Sequence, residues 1–435
     1  MDSYEYIVIG GGVMGASVAY QLAAEKRSVL LLEQFEIGHV RSASHGESRI
    51  FRVAYDHPDY INLARTSLEM WRMIEQEAGE HLLVITGLLD FGPKNDRGLK
   101  DTIESLQSED EPFEKLTPKT TAKKFPQIQL PEDCHAIFTR DAGILRASKC
   151  VKVLLDRARQ RGAHLVEYAA VREIDVSPDL VIVYTEVQAY SAKKLIVTAG
   201  PWSNKLLQKN DIQLPLTVTQ EQVVYVRPSH PNLFRAGNFP VFCGHGGIGS
   251  GSIGLYGFPT LTEPGVKVAY HQSGDVTTAD TRNFDLNEPK ARRLIEDARK
   301  LLPDLTAEIQ SFSTCLYTLT PDQHFIVDHL PGHPNVAIGT GFSGHGFKFA
   351  PVIGRMLIDI VRHGDTEFPH DLFRISRFAQ APVEPATTTA TPVVPTTAGT
   401  VKQNSGAKTG KAGKAAAPSP PKTERKKAKS KKGRK

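Results

Sequence analysis

The sequence predicts an α/β fold: a Rossmann-like dinucleotide-binding domain, a second, mainly antiparallel β domain for substrate, and a disordered basic tail. Three observations carry this expectation. A strand, glycine turn, helix and second strand follow one another from Tyr6 to Glu33. Strand-then-helix patterns return near 148–207 and 335–364, after stretches of a different character. Composition then changes abruptly at Ala381. A chain of 435 residues with 40% hydrophobic content can bury two cores, so two domains are the natural expectation.

Taken in order, YIVIG reads as a buried strand, a helix is expected near Gly15 to Lys26, and SVLLLE reads as the next strand. INLARTSLEMWRMIEQEAG has helical spacing, and residues 86–145 are mixed and turn-rich. SKCVKVLLDRARQRGAHLV then resumes a helix-to-strand pattern, and AKKLIVTAGPWSNKLL adds a buried strand with a following helix. Between 216 and 314 the pattern shifts to short alternating strands, EQVVYVRP, GSIGLYGF and VKVAYH, followed by the helical ARRLIEDARKLLPDL. NVAIGTGFSGHGFKFAPVIGRMLIDIVRHG returns to strand, glycine loop and helix. These shifts assign 1–85, 146–215 and 315–378 to a discontinuous dinucleotide domain and 86–145 with 216–314 to the substrate domain. Residues 381–435, rich in Pro, Thr, Ala and Lys, have almost nothing to bury and are expected to be disordered.

Gly10, Gly12 and Gly15 form GxGxxG between a predicted strand and a predicted helix. Gly10 permits the tight turn, Gly12 lets the backbone approach a pyrophosphate, and Gly15 allows close helix packing. The helix N-terminus offers its amides to the phosphates. Glu33 stands 18 residues after Gly15, where a carboxylate can accept hydrogen bonds from ribose hydroxyls. The motif serves FAD and NAD alike, because both contain the adenosine diphosphate half. TAGPW (Thr198 to Trp202) ends a later strand in the manner of a second flavin contact.

Charge is unevenly distributed. Residues 381–435 carry 13 Lys or Arg against 2 Glu, so the chain's net +5 conceals a body near −6. The body is therefore not expected to bind nucleic acid, whereas the tail is either a solvated segment or a contact for nucleic acid, an acidic partner or an import receptor. Cys134, Cys150, Cys243 and Cys315 include no CxxC pair, which disfavours a disulfide framework and a structural zinc site and suits a reducing intracellular compartment. His324, His329, His333, His345, Cys243 and His245 show no ligand spacing, so no metal is expected. Asp2 and Glu5 precede the first apolar run, which disfavours a secretory signal, and nothing approaches the roughly 18 unbroken apolar residues of a membrane span.

At SASHGESRIFRVAY (Ser42 to Tyr55), GFPTLTEPGVKVAYH (Gly257 to His271), CLYTLTPDQHFIVD (Cys315 to Asp328) and GFSGHGFKFAP (Gly341 to Pro351), the sequence resembles the monomeric sarcosine oxidase family. The resemblance runs over about 4–378 in the same order, and FRISRF near 378 is similar to the peroxisomal sarcosine and pipecolate oxidases. It implies a glutathione-reductase-like and D-amino-acid-oxidase-like fold with FAD as cofactor, attached through Cys315. Read from composition alone, Cys315 would be a buried apolar cysteine. The implied FAD contacts are Gly10, Gly12, Val13, Met14, Gly15, Glu33, Ser44, His45, Arg49, Val171, Thr198, Ala199 and Gly200, with Gly344, His345, Gly346, Phe347 and Lys348 from the later glycine loop. His45 and Arg49 would place positive charge beside the flavin ring.

Arg52 and Lys348 match the family positions that hold the substrate carboxylate, one as a two-pronged donor and the other as a compact charge. Tyr256 and His271 match residues lining the same pocket. Lys267 corresponds to the lysine on the opposite flavin face, where its ammonium would stabilise superoxide as O2 is reduced. On residue pattern alone it would be a solvent-facing strand lysine. The implied reaction is oxidation of a secondary amino acid, sarcosine or L-pipecolate, by O2 to an imine and hydrogen peroxide in a monomeric enzyme. Alternatives are the same machinery acting on N-methyltryptophan, a fructosyl amino acid or a primary D-amino acid, or a non-catalytic flavin-fold protein recruited by its tail. The resemblance implies a peroxisome. The ending Gly433-Arg434-Lys435, in place of a Ser-Lys-Leu-type tripeptide, makes the cytosol the alternative.

Overall fold

Ile7 and Ile9 on one side of β1 (Asp2–Ile9), and Tyr6 and Val8 on the other, are all buried, each pair in a separate apolar cluster. A strand covered on both faces reads as an unbroken apolar run, which is why YIVI shows no polar alternation. β2 (Val29–Leu32) repeats the arrangement, with Val29 and Leu31 on one side and Leu30 and Leu32 on the other. The computed structural model describes residues 1–246, 254–262 and 264–378. The expected disordered tail, 381–435, and the first residues of the GSIGLYGF strand lie outside the described residues.

β1 pairs in parallel with β2 and with Ala189–Val197; β2 pairs in parallel with His164–Val166. The end of Ala189–Val197 pairs in parallel with His333–Thr340, matching Leu195 to Val336 and Val197 to Ile338. Its beginning instead takes the antiparallel hairpin Leu180–Thr185 and Val171–Ser177. One strand thus carries a parallel layer at its carboxyl end and an antiparallel meander at its amino end. With Ile326–Leu330 on the far edge, the sheet has eight strands.

Helix α1 (Val13–Ala24) buries Val18, Ala19 and Leu22 against the helices Ala147–Gln160 and Ala350–His363. It begins two residues before the expected Gly15, because Gly12 is extended and serves as its N-cap. It ends before Lys26, whose φ of +59° turns the chain towards β2. Past β3 (Arg49–Phe51), helix α2 (Pro58–Ala78) has Pro58 in its first turn, where no amide partner is lost. Imidazole Nδ1 of His57 caps it by accepting from the Asp59 amide at 3.2 Å, and Gly79 at φ +66° stops it. Its buried stripe, Tyr60, Leu63, Ala64, Ser67, Trp71 and Ile74, follows helical spacing.

A second, nine-stranded sheet is built around Thr217–Pro228 and Leu305–Leu319, which pair antiparallel from Thr217 opposite Leu319 to Pro228 opposite Leu305. Val266–Tyr270, Leu255–Phe258 and Val241–Gly244 continue it to Leu88–Pro93 and Cys134–Thr139. Helix Glu288–Leu301 buries Leu294, Ala298 and Leu301 in the same apolar cluster as Val224, Phe242 and Val268. Leu305–Leu319, which carries Cys315, runs across the expected boundary at 315.

One carbonyl fixes α2 to the turn that follows His333–Thr340. Ser67 Oγ and Trp71 Nε1, both on α2, donate to the backbone oxygen of Lys348 at 2.5 and 2.8 Å. Ser67 still satisfies this carbonyl when Trp71 is lost, so the cost is that of one hydrogen bond, about 0.5–1.5 kcal/mol. Trp71→Phe should therefore lower unfolding stability by about that amount in guanidinium denaturation.

Candidate functional site

The parallel strands all deliver their carboxyl ends to one place, which is where ligands bind in open α/β sheets. β1 ends at Gly10, β2 at Glu33, His164–Val166 leads to Val171, Ala189–Val197 to Thr198, Ala199 and Gly200, and His333–Thr340 to Gly341 and Gly344. Together with Gly12, Val13, Met14, Ser44, Gly346 and Phe347 they line a cavity of about 280 Å³.

Its glycines are there for space. A Cβ on Gly10, at φ +103°, would meet the Thr198 carbonyl oxygen at 2.5 Å, and one on Gly15 would meet the Gly10 carbonyl oxygen at 1.9 Å. Gly15 does not line this cavity; its part is to let α1 sit directly on the turn. Ser44 Oγ accepts from the Val13 amide at 3.0 Å. Glu33 accepts from the Gly11 amide at 2.7 Å on one oxygen and from the Phe35 amide at 3.0 Å on the other. Oε1 also lies 3.4 Å from His39 Nε2, whereas Oε2 keeps a second lone pair for a ribose hydroxyl. A helix N-terminus, a shaved glycine turn and a fixed carboxylate suit the adenosine diphosphate half of FAD.

A second cavity, of about 510 Å³, shares Arg49, Cys315, Tyr317, Gly344 and Phe347 with the first. Around it stand Arg52, Tyr55, Tyr256, Lys267, His271, His45, His345 and Lys348. His45, His345 and Lys348, expected among the cofactor contacts, therefore line the second chamber. Cys315 faces both chambers, and Tyr317, two residues on, shares its side of the strand. Burial pushes the Cys315 thiol up, with Arg49 opposing.

Arg49 donates to the carbonyls of Ser48, Ala43 and His45 at 2.8, 2.9 and 2.7 Å, so its charge is held by neutral acceptors. His45 is pushed down to about 4 by burial and by Arg49, and its Nδ1 sits 2.5 Å from the Ser42 carbonyl. At neutral pH the positive charge at this wall therefore belongs to Arg49, not to His45. Lys267 is 6% exposed, contrary to the surface position its strand pattern suggests. Its ammonium donates to Ser48 Oγ and carbonyl oxygen at 3.0 and 3.1 Å and lies 4.6 Å from the Phe258 ring centre. Burial, with Arg49 adding to it, brings Lys267 down to about 7.

Arg52 and Lys348 meet across Tyr55. The Lys348 ammonium donates to the Tyr55 hydroxyl at 2.7 Å and to the His345 carbonyl at 2.6 Å. The Arg52 guanidinium lies 4.5 Å from the Tyr55 ring centre and 3.4 Å from Asp90. Burial and Arg52 hold Lys348 well below the usual lysine range. Burial works against the charge of Arg52, yet Tyr55 and Asp90 outweigh it and keep it above its ordinary value. His271 is pushed down to about 4 by burial and these two cations, so it is neutral at neutral pH. Its ring packs between Tyr256 and Tyr317, 6.4 and 5.7 Å away.

Sequence reasoning passed over Tyr55, Tyr317, Ser48 and Asp90. The first three stood inside recognised motifs, and only their side-chain directions reveal their part. Asp90 lay in an unremarkable strand. Among the described residues no cluster of His, Cys, Asp and Glu could hold a metal ion, and no helix is long and apolar enough to cross a membrane.

A dinucleotide cradle that opens onto a cation-lined chamber defines the class, and comparison with known proteins agrees. The chain belongs to the FAD dependent oxidoreductase family, whose model matches residues 5–360. It is 37% identical over 387 residues to peroxisomal sarcosine oxidase of Homo sapiens, covering 87% of this chain and 97% of that protein. Monomeric sarcosine oxidase of Bacillus sp. strain B-0618 is 34% identical over 381 residues, covering 86% and 96%. The fold also matches L-proline dehydrogenase from P. horikoshii with a TM-score of 0.75 at 21% identity, over 87% of this chain and 98% of the other.

Gly15→Val should push α1 off the turn. The expected result is purified protein that has lost most of its flavin absorbance while Cys315 remains in place.

Proposed function

We propose that the chain oxidises a small secondary amino acid, sarcosine or a cyclic relative such as L-pipecolate, with O2 as acceptor. The observation that carries the reading is the pair of basic side chains, half-buried Arg52 and buried Lys348, set across Tyr55 in a chamber that shares the Cys315 wall with the dinucleotide cavity. The relatives named as sarcosine oxidases support the substrate class. Bound FAD supplies the acceptor for a hydride equivalent and returns the electrons to O2 as hydrogen peroxide. Arg52 and Lys348 grip the carboxylate, which fixes the C–H beside nitrogen against the shared wall. Tyr256, neutral His271 and Tyr317 pack around the amine end without adding charge. The product imine then meets water and hydrolyses, or stays as a ring imine. Lys267 offers its ammonium from another side of the wall, where it stabilises charge that builds on oxygen.

Cys315 is the attachment point for the cofactor in this reading, and the parallel sheet serves FAD while the nine-stranded sheet serves substrate. The enzyme works as a monomer in the peroxisome, where catalase removes its peroxide; the relatives named peroxisomal and monomeric sarcosine oxidase support both.

Peroxide release measured over a panel of amines tests the reaction. Turnover of sarcosine or pipecolate is expected; turnover of D-alanine alone would overturn the substrate assignment. Acid-precipitated wild type should stay yellow, and Cys315→Ser should lose its colour.

Lys267 carries its charge below about 7 and loses it above. Reoxidation by O2, followed by stopped flow, should therefore slow as pH rises through that value. Lys267→Gln should slow reoxidation by about 10²–10³-fold, as loss of a preorganised electrostatic group does, and leave anaerobic reduction by substrate largely intact.

A further inference from the structure

The anion site has a counter-ion behind it. Asp90, on Leu88–Pro93, has no exposed surface. One oxygen, Oδ1, lies 3.4 Å from Arg52 Nη1 and 3.3 Å from His245 Nε2; the other, Oδ2, has no hydrogen-bond partner among the described residues. Charged guanidinium–carboxylate bonds usually measure about 2.7–2.9 Å and come in pairs. The contact to Arg52 is long and single, so it restrains the guanidinium weakly. Charge is what Asp90 contributes, in surroundings that screen poorly.

Arg49 and Lys267 line the same chamber, and most of the other groups facing the site are neutral. Burial, with Arg52 adding to it, keeps His271 and His345 uncharged. Tyr55, Tyr256 and Cys243 are pushed up by burial and stay protonated. Asp56, Asp322 and His324 line the chamber as well, and α2 presents Ser67 and Trp71 to the Lys348 carbonyl. Before substrate arrives, Arg52 and Asp90 therefore cancel, while burial and Arg52 disfavour charge on Lys348.

We propose that Asp90 is a positioning residue that sets the charge balance of the substrate site, acting through Arg52 so that a carboxylate binds together with one proton taken up at Lys348. The inference rests on the reading of Arg52 and Lys348 as the carboxylate site. Without Asp90, the carboxylate would be matched by Arg52 alone and no proton would be needed. The sign follows: a bound anion raises Lys348 towards its ordinary range, so affinity falls as pH rises between the free and bound values.

Calorimetric titration of the holoenzyme with propionate, which has no amine to oxidise, in buffers of different ionisation enthalpy reads the proton count directly. Wild type should take up about one proton near pH 8, and affinity should drop by up to about tenfold per pH unit. Asp90→Asn should bind propionate about tenfold tighter at that pH, the order expected for one buried charge at this range, with uptake less than half of wild type. Asp90→Glu should restore uptake. Absence of proton uptake in wild type, which needs no variant, or unchanged uptake in a folded Asp90→Asn, overturns the proposal. Arg52→Met separates the two levels. If it leaves propionate affinity unchanged, the carboxylate site itself is misplaced and both readings fall. If it weakens binding while Asp90→Asn changes neither affinity nor uptake, only the role of Asp90 falls.

Discussion

Lys267 and Lys348 are buried, and Arg49 and Arg52 half-buried, around a single wall, and the rest of the site is organised by that fact. Removing an ion from water costs several kcal/mol unless hydrogen bonds or opposite charge compensate. Here the compensation comes mostly from neutral oxygens: Ser48, Ala43 and His45 for Arg49, Ser48 again for Lys267, and Tyr55 with His345 for Lys348. Asp90 is the anion beside Arg52. A chamber built this way keeps its positive potential unspent, available to a substrate carboxylate and to charge developing on flavin or oxygen.

That arrangement needs a rigid backbone behind it. The Lys348 carbonyl is fixed by Ser67 and Trp71, so the side-chain nitrogen five bonds from its Cα is aimed from a point set by α2. Ser48 sits just before β3, so the donors and acceptors around Arg49, Lys267 and Arg52 move with one short segment. Cys315 reaches the shared wall from the long strand of the other sheet, where its register opposite Glu221 holds it. The two cavities meet because the parallel-strand ends and this antiparallel strand approach the same few residues.

Electrostatics then divide the labour among residues that look alike in one dimension. His45 and Arg49 both read as cations, yet burial and the neighbouring guanidinium leave His45 neutral. Lys267 and Lys348 are both buried lysines. One is brought down to about 7 by burial with Arg49 adding to it, whereas the other is held well below the usual lysine range by burial and Arg52. Acid–base character at this site is a property of the neighbourhood rather than of the residue type.

Much of this was legible in the sequence, for a reason. The parallel layer announces itself because strands buried on both faces must be continuously apolar and because Gly10 and Gly15 occupy positions that no Cβ can fill. The motifs around His45, Cys315 and Lys348 likewise carry their order along the chain. Helix ends were less legible: α1 starts at Val13 because extended Gly12 can act as its cap, which periodicity does not report. Burial of Lys267 could not be read either, since a lysine between Val266 and Val268 has the same local pattern whether its face meets water or Ser48. Asp90 was invisible for the same reason. Local sequence determined which backbone would form and where a dinucleotide would lie. Only the packing of one sheet against the other decided which charges lose their water, and therefore what the second chamber can bind.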